Sequence, residues 1–208
     1  MIKLLKKIFP RIMNNKLYKQ AAYHESGHVV MAYLTGFKSD FTELILEDPG
    51  SGRTKFDYGD QRITLIIAAM QNYISDPSIY NGLPDNLKSV CGQLAFKICG
   101  TLMGGPVGET FFKEGIDFKG QLPIEMSGPD LISVNNIHAC LMNNFQGHNP
   151  DYIRESLINV TEMIQQAETW KAIEHLATKI LDSPKKHLDR EEIELSLKES
   201  GYLDYIDK

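Results

Sequence analysis

The stretch from Ala21 to Tyr33 sets the tightest limit on what this chain can become. It reads Ala21-Ala22-Tyr23-His24-Glu25-Ser26-Gly27-His28-Val29-Val30-Met31-Ala32-Tyr33, apolar at both ends and ionisable in the middle. Its periodicity predicts a helix over about Lys16 to Thr35, with Leu17, Ala21, Ala22, Val29, Ala32 and Tyr33 apolar and a stop near Gly36. Ionisable groups are costly to bury alone. A fold that hides this helix must therefore give the cluster partners or a cation.

Two histidines four residues apart lie on one helix face, one turn apart, so both imidazoles can reach a single metal ion. Zinc suits neutral imidazole, and a catalytic zinc site keeps one coordination position for water. Glu25, beside the first histidine, projects towards that water without binding the metal and can take its proton. The residues thus read as a zinc-dependent hydrolase centre, with His24 and His28 as ligands and Glu25 as catalytic base.

A third ligand is needed. A metzincin places a histidine six residues after His28, and Leu34 occupies that position. Glu43 and Glu47 fall in a predicted hairpin, an awkward place for a ligand. Asp130 opens a predicted helix, where orphan amides keep a carboxylate ionised. The same position suits an ordinary first-turn acid, and the residues alone leave the two readings even. Glu109 and Glu125 are both placed to hydrogen-bond a ligand histidine, with nothing to choose between them. His138, eight residues after Asp130 and on roughly the same face, reads with His148, His175 and His187 as a packing or surface residue.

Around the motif the chain predicts a mainly α domain with a small β hairpin beside the active-site helix, zincin-like in outline. Phe41 to Glu47 is strand-like, Asp48-Pro49-Gly50-Ser51-Gly52 turns, and Arg53 to Tyr58 returns. A helix over Ile63–Tyr73 precedes a loop over Ser75–Asp85. The next helix, Asn86–Met103, ends at Gly104-Gly105-Pro106 and resumes over Gly108–Phe112. Lys113–Pro129 is a long glycine-rich connection of the kind that is usually functional. Ser127 is then a cap and Pro129 a first-turn residue for a helix over Asp130–Phe145. Helical periodicity continues over Tyr152–Leu181 around Trp170, a core anchor, and over Arg190–Glu199.

Residues 1–15 read as a basic leader and 16–208 as a single domain. Lys3, Lys6, Lys7, Arg11, Lys16 and Lys19 precede the first acid, Glu25. The leader reads as a solvated segment, with peripheral membrane contact as a basic amphipathic helix the alternative. No apolar run reaches the roughly 18 residues of a membrane span. A net charge of -5 over 208 residues argues against a nucleic-acid partner. Cys91, Cys99 and Cys140, odd in number and without ligand spacing, read as reduced thiols of a cytoplasmic protein.

Together these segments resemble the peptidase domain of the FtsH-type membrane AAA proteases. The resemblance runs in order from about residue 20 to 198. It takes in His24-Glu25-Ser26-Gly27-His28, the strand region Phe41–Tyr58, and Leu102-Met103-Gly104-Gly105-Pro106-Val107-Gly108-Glu109. Ser127-Gly128-Pro129-Asp130-Leu131 and Trp170-Lys171-Ala172-Ile173-Glu174-His175-Leu176-Ala177 complete it. It implies zinc held by His24, His28 and Asp130, with Glu25 catalytic, and lifts Asp130 above the even reading. Three departures stand out. No phosphate-loop motif and no transmembrane pair are present, Gly104–Glu109 lacks the family's arginine, and residues 58–86 match poorly. The resemblance implies a free-standing peptidase, ATP-independent by itself, that cleaves peptides or unfolded segments. A homo-oligomer or a docked separate ATPase is the implied assembly, and an inactive zinc-binding interaction module is the competing reading. The strand over Phe41–Glu47 is expected to pair with an extended substrate.

Overall fold

The computed structural model describes residues 2–117 and 128–208, and of residues 2–14 the backbone alone. The motif helix, α1 (Ile2–Leu34), begins well before the expected Lys16. Its end follows from Gly36, whose φ of 84° admits the left-handed turn. There Phe37 N–H bonds the Ala32 carbonyl at 2.8 Å and Gly36 N–H bonds Tyr33 at 3.1 Å, so the last carbonyls are satisfied while Phe37 buries its ring.

Two strands follow, β1 (Lys38–Leu44) and β2 (Gly52–Asp57), paired antiparallel with Thr42 opposite Thr54. The helix α2 (Gln61–Gln71) is capped by Asp60, whose carboxylate accepts from Arg62 N–H at 2.7 Å. The expected loop over Ser75–Asp85 contains a short α3 (Pro77–Asn81), and α4 (Asp85–Lys88) takes the place of the first turn of the expected third helix. That helix, α5 (Cys91–Glu114), runs without a break through Gly104-Gly105-Pro106, where the sequence reading stops it.

After the undescribed residues 118–127, which include the expected cap Ser127 and Glu125, comes α6 (Gly128–Asn144). The expected helix Tyr152–Leu181 is two helices, α7 (Tyr152–Ile164) and α8 (Ala167–Asp182), parted by Gln166 in an extended conformation. An unexpected strand, β3 (His187–Asp189), joins the hairpin, and α9 (Arg190–Glu199) and α10 (Tyr202–Ile206) close the described chain. A reciprocal capping box between Asp189 and Glu192 starts α9.

The molecule is therefore mainly helical with a three-stranded antiparallel sheet ordered β2-β1-β3. This corrects the expected substrate strand. β1 is flanked on both sides, by β2 and by β3, and among the described residues the sheet edges belong to β2 and β3, of which β2 is the one beside the motif histidines. The apolar face of α1, with Ala22, Val29, Val30, Met31 and Ala32 fully buried, packs chiefly on α5 and α8. Trp170 on α8 lies against Tyr23 and Phe111, as the core-anchor reading expects. No described helix is long and apolar enough to cross a membrane.

Candidate metal centre

The centre forms where the middle of α1 meets α5, α6 and β2. The burial of Val29–Ala32 fixes the rotation of α1 and turns His24, Glu25 and His28 towards that junction. Each histidine is oriented through its Nδ1. His28 Nδ1–H donates to the Thr101 carbonyl on α5 at 2.9 Å, and His24 Nδ1–H donates to Glu109 Oε2, also on α5, at 3.1 Å. A carbonyl can only accept, so His28 must carry its proton on Nδ1. The carboxylate sets the same tautomer in His24.

In the neutral rings both Nε2 atoms therefore present lone pairs, and they converge. They stand 3.1 Å apart, and each lies 3.3 Å from Asp130 Oδ2. Three electron-rich atoms at such spacing repel unless something positive sits among them. A tetrahedral ion with bonds of about 2.0–2.1 Å holds its ligand atoms about 3.3–3.4 Å apart. The triangle of His24, His28 and Asp130 matches that spacing, and the three residues could hold a metal ion.

The electrostatics agree. Burial works to lower the His24 pKa, but hydrogen bonds to Asp130 and Glu109 outweigh it and push it up to about 10. Burial likewise works to raise the Asp130 carboxyl, and its bonds to His24 and His28 hold it far below the usual range instead. Glu109 is lowered too, where His24 and Lys113, the latter at 2.5 Å, overcome burial. The pocket is built for positive charge, whether proton or metal.

Comparison with known proteins is brief. No protein-family model matches this chain, and no curated protein matches it.

The glycines of α5 explain how the two imidazoles fit. A Cβ on Gly105 would lie 2.6 Å from His28 Cε1 and 2.8 Å from His24 Cδ2, so only glycine lets the helix pass beneath both rings. A Cβ on Gly104 would meet Met31 Cγ at 2.7 Å, and one on Gly108 would meet the Tyr23 carbonyl at 2.9 Å. Gly27 faces the Gly104 carbonyl with no room for a side chain. α1 and α5 thus cross backbone to backbone. Pro106 lies inside α5 and lacks an N–H, which leaves the Leu102 carbonyl without its usual helical donor.

Glu25 is buried on the side of the pair that faces the sheet. Its Oε2 accepts from the Thr54 hydroxyl at 2.7 Å, and the Thr42 and Thr54 hydroxyls are 3.0 Å apart. With the Thr54 proton committed to Glu25, Thr42 donates to Thr54. A Cβ on Gly52 would come within 2.6 Å of Glu25 Cγ, and Phe56 stands edge-on to His28, with ring centres 6.1 Å apart. β2 therefore borders the centre at both of its ends.

The open questions among the carboxylates close here. Glu43 turns away to His187 at 2.9 Å and to Arg53, and Glu47 is exposed on the turn, so neither approaches the histidines. Asp130 does. Of the two candidate partners for a ligand histidine, Glu109 takes the role on His24, and Glu125 lies outside the described residues. His175 pairs with Glu199 at 3.2 Å and His187 with Glu43, both near the surface as expected. Thr54, Thr42, Gly105 and the Thr101 carbonyl are additions of the structure. Only the Gly104-Gly105-x-x-Gly108 spacing signalled any of them, as a small-residue face on a continuous helix.

Proposed function

We propose that this chain is a zinc-dependent metallopeptidase built like the FtsH-type peptidase domain and zincin-like in its active-site helix. The observation that carries the reading is the convergence of two Nε2 atoms and one carboxylate oxygen, with a further carboxylate, Glu25, buried alongside but outside the ligand triangle. A purely structural zinc site needs no such free carboxylate and closes its coordination with four protein ligands. When bound, the ion would lower the pKa of a water molecule and polarise the carbonyl of a peptide bond.

The residues divide the remaining work. His24, His28 and Asp130 hold the ion. Glu109 and the Thr101 carbonyl keep both imidazoles in the ligand tautomer. Glu25 accepts the proton of the attacking water at its carboxylate and returns it to the leaving amine. Thr54 fixes one carboxylate oxygen and so leaves the other for that proton. A peptide laid along the open edge of β2 would pass between Gly52 and Phe56, beside Glu25 and His28. The substrates that fit are peptides or unfolded segments, because strand addition takes an extended backbone.

Glu25→Gln tests the reading. Zinc content should stay unchanged while kcat for a peptide substrate falls by about 10²–10⁴-fold. Peptide cleavage that survives the substitution would remove Glu25 from the chemistry, and its absence from zinc-loaded wild type would assign the fold to a non-catalytic binding module.

A further inference from the structure

The two faces of β2 carry different chemistry, and the site described above uses only one of them. Gly52, Thr54 and Phe56 face α1, where they meet Glu25 and His28. Strand alternation sends Arg53 and Lys55 to the opposite face. There they are the most exposed residues of the strand, with 66% and 62% of their side chains open to solvent. The register carries the contrast across the sheet. Arg53 pairs with Glu43 on β1, and Glu43 pairs in turn with His187 on β3. The side chains follow suit: Glu43 binds Arg53 on one side and His187 Nδ1, at 2.9 Å, on the other. Lys55 reaches Asp40 at 3.0 Å, and Asp40 is shared with Arg190 at 2.5 Å. Each of these acids thus stands between two basic groups, and the outermost basic group of each set lies on the edge strand. Asp57, next on that face of β2, is less exposed and is held by Arg190 at 2.5 Å.

We propose that Arg53 and Lys55 select the substrate, favouring extended peptides that carry acidic side chains at alternate positions, i and i+2. The proposal deepens the strand-addition mode described above and rests on it. A peptide laid along β2 pairs its residues with those of the strand, so its outward side chains stand opposite Arg53 and Lys55. These two lie about 6.6–6.8 Å apart along the strand, the repeat of side chains i and i+2 in the peptide. An acid opposite Arg53 continues a row in which basic and acidic groups already alternate through Glu43 to His187. A base there would meet a like charge, which destabilises a cross-strand pair.

The charge of the whole chain sharpens the point. At a net -5 the molecule repels acidic peptides at long range, so a preference for them has to come from contact with these two residues. Both have acidic neighbours inside the sheet, but exposed ion pairs are weak, and little is lost when the cations also serve a peptide. Each exposed cross-strand pair changes affinity about 1.4- to 5-fold, and two together should give roughly three- to tenfold. Because both residues lie on the face away from Glu25 and the histidines, the selection acts on binding and leaves the chemistry alone.

Fluorescence anisotropy with the zinc-loaded Glu25→Gln chain tests binding without turnover. The probes are labelled decapeptides identical except at positions i and i+2, which hold Glu, Gln or Lys. The Glu peptide should bind about three- to tenfold more tightly than the Gln peptide, and the advantage should shrink as salt is raised to about 1 M. Arg53→Gln combined with Lys55→Gln should abolish the advantage. Arg53→Glu combined with Lys55→Glu should reverse it in favour of the Lys peptide, a result that a damaged fold cannot produce, since damage weakens all three peptides alike. In the otherwise wild-type chain the same preference should appear in KM, with kcat little changed. Equal binding of the three peptides, or an acid preference that survives in the double glutamine variant, would overturn the proposal. Cleavage of all three with the same KM would also overturn it and leave the peptidase reading standing. Selective binding of the Glu peptide by zinc-loaded wild type that never cuts it would uphold the basic edge and defeat the peptidase reading.

Discussion

At the scale of single residues, the centre is held by atoms that seem unrelated to metal chemistry. Gly105 is the sharpest case. One methyl group there would overlap both ligand imidazoles, and crowding in a packed interior costs about 1–3 kcal/mol before any loss of metal. Gly105→Ala should therefore lower the melting temperature of the metal-free protein and weaken zinc binding together. Unchanged zinc affinity by competition with a chelator would show that the helices can part without disturbing the ligands. The glycine was visible in the sequence, but its role was not. Gly104-Gly105-Pro106 carries the usual marks of a helix end, and only the presence of α1 against that face turns those marks into a close crossing. His24, His28 and Glu25 were legible because helical spacing alone brings them together. Asp130, 102 residues beyond His28 in the chain, needed the family resemblance.

At the scale of elements, the sheet carries more of the site than its size suggests. β2 supplies Thr54 to Glu25, and Thr42 on β1 backs it through the cross-strand pair. A hydrogen bond to a charged group is worth about 1.5–3 kcal/mol. Thr54→Val should lower kcat by about tenfold or more, with KM and zinc content little changed, and Thr54→Ser should restore most of the loss. Equal kcat in the valine variant would mean that Glu25 needs no such support. The open edge of β2 gives a second expectation. A peptide with one backbone amide N-methylated near the cleavage point should show a raised KM, and an unaffected KM would remove strand addition from the binding mode. None of this was readable beforehand. The hairpin was expected, yet three-residue β3 is too short to leave a pattern, and without β3 the wrong strand appears open. The break between α7 and α8 was hidden likewise, since Gln165 and Gln166 are good helix formers and neither glycine nor proline marks the place.

At the scale of the molecule, stability and metal binding are linked through protons. In the metal-free protein His24 has a pKa of about 10, against 6.5 for an ordinary histidine. The stabilisation from its bonds to Asp130 and Glu109 is complete below about pH 6.5 and fades as pH rises through about 10. A bound metal replaces that proton. Loading with zinc should therefore add more thermal stability at pH 9 than at pH 6.5, as differential scanning fluorimetry of loaded and chelated protein would show. A gap that stays constant with pH would mean that His24 titrates outside the metal site.

The crossing of α1 and α5 at Gly27 and Gly104 has one more consequence. Most helix pairs are separated by a layer of side chains, and swapping a leucine for a valine in that layer can nudge the helices closer or further apart over evolutionary time. This pair has no such layer to adjust. Relatives of this protein can repack the rest of the interior freely, while the distance between these two backbones stays the same. Sequence drift should thus be steep around the seam and nearly absent on it, a pattern of variation set by bare carbonyls and amides with no help from catalysis.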